Sequence, residues 1–353
     1  MDLPENVMLE YLAEGAANVV YRLSIEPSSP STHSEAYSDA NEYGPETPPP
    51  TELPMNYFEL LLHGRLLRLR KNLPTATFVY QSQKDFERHI RPHFEADEVV
   101  EQSVVKLPPR LTETCNANLR QMEVEGRRPQ KRCGVYLKVN EGYGTLVTDM
   151  TSRPMEGMLS IEFKPKWLAQ SPTAPLSAKR CRTCALRARN YSSQPEAANN
   201  NDPRLQPKAA FCPLALVSNE KKKLESLVTE LLRCSNFSEN ASNDLTSRLV
   251  KALWRSPILH KLRDLQVKLN PKGVLRPDPR ERDLLTAMTL RDCTLYLKIP
   301  LYENGAVEAR LGDLDLKSPN KAPAWKALEQ QLTDEGWYAG KASFTNDRIC
   351  LLA

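Results

Sequence analysis

Cysteine is scarce in this sequence, long apolar runs are missing, and so are the commonest phosphate-binding and nucleophile motifs. Eight cysteines in 353 residues are too thinly spread for a disulfide scaffold, so reduced thiols are expected. No stretch approaches the roughly 20 consecutive apolar residues that a membrane-crossing helix needs. Met1–Glu10 carries three acids and no basic segment, unlike a secretory leader. There is no Gly-x-x-x-x-Gly-Lys-Ser/Thr loop, His-Arg-Asp catalytic loop, Asp-Phe-Gly or Gly-x-Ser-x-Gly elbow. Ordinary P-loop enzymes, protein kinases and α/β-hydrolases are therefore disfavoured. Aromatics make up only 7% of the chain and no RNP-type aromatic motif occurs, which argues against a conventional nucleic-acid module.

What is present is an ordinary globular composition, 40% apolar, with a length that suits two lobes. The net charge of +4 is unevenly placed. Glu26 to Pro54 holds six of the 44 acids and no Lys or Arg, which leaves 48 basic against 38 acidic residues elsewhere. A body this basic suits an anionic partner, either phosphorylated small molecules or nucleic acid, or else it is simply a solvated basic surface.

The Ser-, Pro- and Glu-rich stretch 26–54 reads as a disordered insertion that cannot bury enough apolar surface to offset its ordering entropy. Tyr191 to Lys208 reads as a polar linker. The resulting expectation is an N-terminal lobe over 1–150 and a C-terminal lobe over 151–353. Glu14 to Leu23 reads as a turn and strand. Arg65–Arg70, Thr75–Tyr80 and Gly144–Met150 read as strands. In Leu159–Lys166, Leu159, Ile161 and Phe163 face one side and Ser160, Glu162 and Lys164 the other, with Pro165 ending the strand. Asn219–Cys234 places Leu224, Leu227, Val228, Leu231 and Leu232 on one helical face. Thr294–Ile299 and Val307–Lys317 read as strands, the second with Asp313, Asp315 and Lys317 on its outer face. Ala324–Leu332 reads as a helix. Mixed elements of this kind indicate an α+β fold.

Several segments could carry chemistry, and each has a plainer reading. Glu14–Tyr21 could cover phosphates with backbone N–H groups, or be a tight turn. Glu162-Phe163-Lys164-Pro165-Lys166 offers ammonium donors at a strand end, or is a charged edge that blocks aggregation. Asp313-Leu314-Asp315-Leu316-Lys317 offers hard oxygens for magnesium beside a phosphate-binding lysine, or is a half-exposed strand. Asp292 could orient a hydroxyl for attack on a phosphate, or be a turn residue. Cys181-Arg182-Thr183-Cys184 has zinc-like spacing, but no second Cys or His pair is near in sequence, so free thiols are expected. His89 and His93 read as surface residues.

The order of these segments is more specific than any one of them. Glu14-Gly15-Ala16-Ala17-Asn18-Val19-Val20, Leu67-Arg68-Leu69-Arg70-Lys71, Arg128-Pro129, Leu146 to Thr151, Glu162 to Trp167, Cys181 to Cys184, Asp292-Cys293 and Asp313 to Lys317 follow one another as in inositol-pentakisphosphate 2-kinases. The sequence resembles that family from about Glu14 to Trp325, and its Cys-Arg-Thr-Cys segment is most similar to fungal members.

The resemblance implies a two-lobed inositol-phosphate kinase fold, distantly related to protein kinases, with ATP between the lobes. It implies transfer of phosphate from ATP, with magnesium, to the 2-hydroxyl of inositol 1,3,4,5,6-pentakisphosphate. Gly15, Ala16, Ala17, Asn18 and Val19 would lie over the nucleotide phosphates, Arg68 would reach them, and Asp149 and Met150 would contact adenine. Asp292 would act on the 2-hydroxyl, Lys164 would neutralise charge on the transferred phosphate, and Asp313 would bind magnesium. Arg128, Lys166, Arg182, Asn236, Lys317, Lys321 and Trp325 would grip the substrate. A monomer in nucleus or cytoplasm, with no obligate nucleic acid and no membrane, is expected.

There are departures. Many relatives carry His and Lys just after the Arg182 position, where this chain has Leu186 to Asn190; Arg187 or Arg189 could substitute. Ser235 stands where Asn is common and Lys321 where Arg is expected. Plant members hold a structural zinc before the catalytic aspartate; no matching set occurs here, so no zinc is expected. The competing readings are a kinase for another inositol polyphosphate and a non-catalytic binder of RNA or inositol phosphates.

Overall fold

A computed structural model describes residues 1–26, 57–74, 76–153, 155, 157–192, 211–234, 243–276, 281–302, 305–340 and 350–352. The expected acidic insertion, apart from Glu26, most of the 191–208 linker, and Asn236 lie outside the described residues. The chain is a mixed α+β protein with antiparallel sheets. It divides into two compact units, Met1–Gln81 with Glu101–Asp149, and Ser82–Val100 with Met150–Ala353.

The first unit is built on a five-stranded antiparallel sheet in the order β1-β2-β3-β5-β4. Its strands are β1 (Val7–Glu14), β2 (Asn18–Ile25), β3 (Arg65–Arg70), β4 (Gln102–Lys106) and β5 (Tyr143–Thr148), with helices α1 (Tyr57–Leu62) and α3 (Leu111–Val124). Alternation along β2 buries Val19 and Tyr21. They meet Leu67 and Leu69 of β3, Leu146 of β5 and Leu119 of α3 in one core. The turn between β1 and β2 is closed by the Gly15 N–H donating to the Asn18 carbonyl at 2.9 Å.

Helix α2 (Val79–His89) begins in the first unit's sequence and lies mostly in the second. It corrects the reading of Thr75–Tyr80 as a strand. The β-forming residues there run straight into a helix whose Val79, Ser82 and Phe86 are buried, followed by buried Ile90, so burial at helical spacing overrides local β propensity.

The second unit pairs a three-stranded antiparallel sheet, β6-β7-β8, with most of α2 and six further helices among the described residues. The strands are β6 (Met158–Phe163), β7 (Thr294–Pro300) and β8 (Glu308–Gly312). The helices are α4 (Arg182–Ser192), α5 (Lys221–Cys234), α6 (Asn243–Leu253), α7 (Pro257–Leu269), α8 (Glu281–Leu290) and α9 (Ala322–Asp334). Leu295, Leu297 and Ile299 of β7 share a core with the predicted stripe of α5, Leu224, Leu227, Val228, Leu231 and Leu232. Each such side chain, fully buried, contributes about 1.5–3 kcal/mol of transfer free energy.

Strand β8 is shorter than its sequence suggests. Residues 313–317 are not a strand, because Asp313 takes a left-handed backbone, φ 56°. That turn abolishes the inside–outside alternation expected for Asp313, Asp315 and Lys317, although Leu314 is still buried.

Candidate active site

Strand register assembles the central group. Phe163 at the end of β6 pairs with Leu295, and Thr294 at the start of β7 pairs with Gly312 at the end of β8. The residues just beyond these strand ends, Lys164, Asp292 and Asp313, therefore come together at one edge of the sheet. Gly312 is needed for this: a Cβ there would come within 2.8 Å of the Tyr296 ring. Both Lys166 and Asp313 have positive φ, 59° and 56°. Such conformations are uncommon for residues other than glycine and concentrate at functional sites.

The Lys164 Nζ lies 2.7 Å from Asp313 Oδ2 and 3.5 Å from Asp292 Oδ1, and donates to the Asp292 carbonyl at 2.6 Å. Lys166 Nζ reaches Asp292 Oδ1 at 2.9 Å and Lys317 Nζ reaches Asp292 Oδ2 at 2.7 Å. Three ammonium groups thus converge on two carboxylates. The group is open to solvent, with Asp292 40% and Asp313 43% exposed. Burial pushes the Asp292 carboxyl up, but Lys317 and Lys166 outweigh it and hold it well below the usual carboxylate range. Burial likewise works against the Lys164 ammonium, and Asp313 and then Asp292 raise it overall. Asp315 accepts from Ser82 Oγ at 3.1 Å.

A second group surrounds Trp167. The guanidinium carbon of Arg291 lies 3.7 Å from the centre of that ring and that of Arg182 lies 4.3 Å away. Arg182 Nε donates to Glu329 Oε2 at 2.8 Å, while Ser171, Thr173 and Tyr338 donate to Glu329 Oε1. Glu329 is fully buried. Burial raises its carboxyl, but Arg182 and the three hydroxyl donors hold it down. Trp325 packs on the cluster containing Trp167. Lys321 is exposed at the start of α9.

The other predicted residues belong to the first unit, except Met150, which opens the second. Gly15 and Ala16 are exposed at the β1–β2 turn, whereas Val19 and Asp149 are buried. Arg68, on β3, donates to Gln102 Oε1 at 3.4 Å. Arg128 is enclosed, with Nε and Nη2 on Glu14 at 2.8 and 2.9 Å, Nη1 on Glu123, and Nη2 also on the Val135 carbonyl. Lys71 also pairs with Glu14 and donates to the Gly15 carbonyl at 3.0 Å. Sequence reading missed Glu14, Lys71, Glu329 and Arg291 as partners, because the residues that pair are far apart along the chain.

One expectation is overturned. Cys181 and Cys184 are not an isolated pair: Cys212 and Cys350 join them, and all four sulfurs lie within 4.8 Å of one another.

Two carboxylates thus sit amid three lysines, with further guanidinium groups in the same unit. A family model described as inositol-pentakisphosphate 2-kinase matches residues 11–331, and the chain belongs to that family. It is also similar to the inositol-pentakisphosphate 2-kinase of Yarrowia lipolytica (strain CLIB 122 / E 150), at 29% identity over 182 residues, 51% of this chain and 53% of that protein. The chain thus spans about half the length of this curated relative in the match.

Proposed function

We propose that this chain transfers the terminal phosphate of ATP to the 2-hydroxyl of inositol 1,3,4,5,6-pentakisphosphate, giving the hexakisphosphate. The observation that carries this reading is the direct contact of Lys164 with both Asp292 and Asp313, flanked by Lys166 and Lys317. Phosphoryl transfer needs in-line positioning and charge neutralisation more than covalent chemistry, and this group supplies both signs of charge at one place.

Asp292 orients the 2-hydroxyl and takes its proton. In the ligand-free arrangement its lysine partners make it a weak acceptor. Each substrate phosphate carries about 1.5 to 2 negative charges. A ligand with five of them draws Lys166 and Lys317 away from Asp292, and losing those neighbours raises its basicity. Lys164 moves from neutralising the aspartates to neutralising the transferred phosphate. Magnesium fits the donor set, since Asp313 offers an exposed hard oxygen beside Asp292 and magnesium takes one or two carboxylates with phosphate oxygens; bound there, it would offset charge on the transferring phosphate.

Lys166, Arg182, Lys317, Lys321 and Trp325 form the substrate grip of this proposal. Asn236 belongs to it by resemblance alone, and Arg128 joins only by giving up Glu14 and Glu123. Gly15 to Val19, Arg68, Asp149 and Met150 hold ATP, as part of a kinase-related, two-lobed reading of the fold.

The test is purified protein with ATP and magnesium, offered a panel of inositol polyphosphates, with the product's phosphorylated position determined. The proposal expects phosphate on the 2-position of the pentakisphosphate. Preference for another inositol polyphosphate replaces the substrate. No transfer at all, with steeply salt-dependent RNA binding, overturns it.

A further inference from the structure

Helix α7 turns one stripe inward: Ile258, Leu259, Leu262, Gln266 and Leu269. All are apolar except Gln266. A buried amide costs free energy unless its polar atoms are bonded, and a Met or Leu of similar volume would fill that place in the stripe. The Gln266 side chain is buried, and its bonds all leave α7. The Leu168 N–H donates to its Oε1 at 3.0 Å, while its Nε2 donates to the Lys166 carbonyl at 2.9 Å and to the Leu290 carbonyl at 3.1 Å. One donor and two carbonyls fix which end of the amide is oxygen, because a flipped amide would satisfy none of them.

The segments held in this way carry the charges of the candidate site. Lys166 has a left-handed backbone, φ 59°, a conformation that persists only where the surroundings enforce it. The amide grips the chain on both sides of Trp167, at the Lys166 carbonyl and at the Leu168 N–H. Leu290 ends α8 two residues before Asp292, whose N–H donates to the Thr289 carbonyl at 2.9 Å. The backbone of Gln266 joins in: Arg291, itself buried, donates from Nη2 to the Gln266 carbonyl at 3.0 Å and from Nη1 to Asn270 Oδ1 at 2.9 Å. One residue of α7 therefore ties the backbone bearing Lys166 to the backbone bearing Asp292, whose side chains meet at 2.9 Å.

We propose that Gln266 is a positioning residue for phosphoryl transfer: its amide fixes the Lys166 and Asp292 backbones against each other from the core side. It thereby sets the ammonium that grips a substrate phosphate relative to the carboxylate that orients the 2-hydroxyl. This inference rests on the kinase reading above. Without the amide, three buried backbone groups lose their partner and the Lys166 turn relaxes. A misplacement of about 1 Å near reacting groups can lower turnover about 10²-fold.

Gln266→Met removes the amide and keeps the volume. In steady-state assays with ATP, magnesium and inositol pentakisphosphate it should lower kcat about 10–100-fold. It should also raise KM for the pentakisphosphate about fivefold and leave KM for ATP unchanged. A role in folding alone lowers the amount of active protein and moves neither KM; that pattern overturns the proposal. Coupling gives a second reading. With Lys166→Ala already present, Gln266→Met should lose well under half of its effect in wild type on a logarithmic scale, and full additivity overturns the proposal. Gln266→Asn keeps an amide too short to bridge both segments, and it takes the same test if Gln266→Met does not fold. Failure of both to fold makes Gln266 a core strut and overturns its assignment. Wild-type protein that phosphorylates no inositol polyphosphate sinks the kinase reading instead, and calorimetric binding of inositol hexakisphosphate then decides. Gln266→Met should weaken that binding about fivefold in wild type and leave it unchanged in Lys166→Ala. Equal losses in both backgrounds, or no binding by the wild type, overturn the positioning role.

Discussion

Two charge clusters in this molecule use the same residue types to opposite ends. In the first unit, Glu14 is held by Lys71 and Arg128, and all three side chains are fully buried. In the second, Asp292 is held by Lys164, Lys166 and Lys317, yet Asp292, Lys164 and Lys166 are each about one-third or more exposed. The side chains of the first cluster are closed off from solvent. The second faces solvent, where the proposed function has its lysines exchange an internal carboxylate for an external phosphate. Breaking a sealed ion pair strands a charge and costs about 3–5 kcal/mol, whereas an exposed pair contributes about 0–1 kcal/mol. Burial, more than composition, separates a strut from a site.

The sharpest way to break that contrast is Asp292→Ala. It should lower turnover by about 10²–10⁴-fold, the range of a positioned proton acceptor, while shifting the unfolding midpoint little. Unchanged turnover in a steady-state kinase assay would remove Asp292 from the proposed chemistry. The converse is Glu14→Ala, which should destabilise the protein by about 3–5 kcal/mol in urea unfolding. A loss below about 1 kcal/mol would mean that the first cluster is no more structural than the second.

Acid sharpens the comparison further. Burial works against the Glu14 carboxylate, yet Arg128 and Lys71 hold its folded value below the ordinary 4.5. The folded state therefore binds this proton less readily than the unfolded chain. The stability it contributes is complete above about pH 4.5 and drains away as pH falls through the lower folded value. Glu14→Gln should flatten that acid limb of the stability–pH curve, measured by chemical denaturation. An unaltered limb would assign the acid sensitivity elsewhere. The smallest effect is Gly312→Ala, which should cost about 1–3 kcal/mol through overpacking on Tyr296 and should reduce turnover more than an exposed-surface control, because Asp313 is the next residue.

Much of the fold was legible where one period ruled a whole element. The Leu224–Leu232 stripe became α5, the Leu159–Phe163 alternation became β6, and Arg65–Arg70 is β3 to the residue. Legibility failed where a single backbone conformation or a distant partner decided the outcome. The left-handed Asp313 ended a strand that alternation alone would extend to Lys317. Cys181-Arg182-Thr183-Cys184 looked solitary because its partners, Cys212 and Cys350, are brought in by tertiary structure. The same holds for Glu14 with Arg128 and for Arg182 with Glu329, whose pairing no local window contains.

The left-handed residues on either side of Asp292 set durability against chemistry. A non-glycine residue in that conformation costs roughly 1–2 kcal/mol, and glycine would adopt it without penalty. Lys166→Gly or Asp313→Gly would thus relax the backbone while deleting an ammonium or a carboxylate from the centre of the group. A lineage selected only for heat resistance would drift toward glycine at both positions, and one selected for phosphate handling would keep the tension.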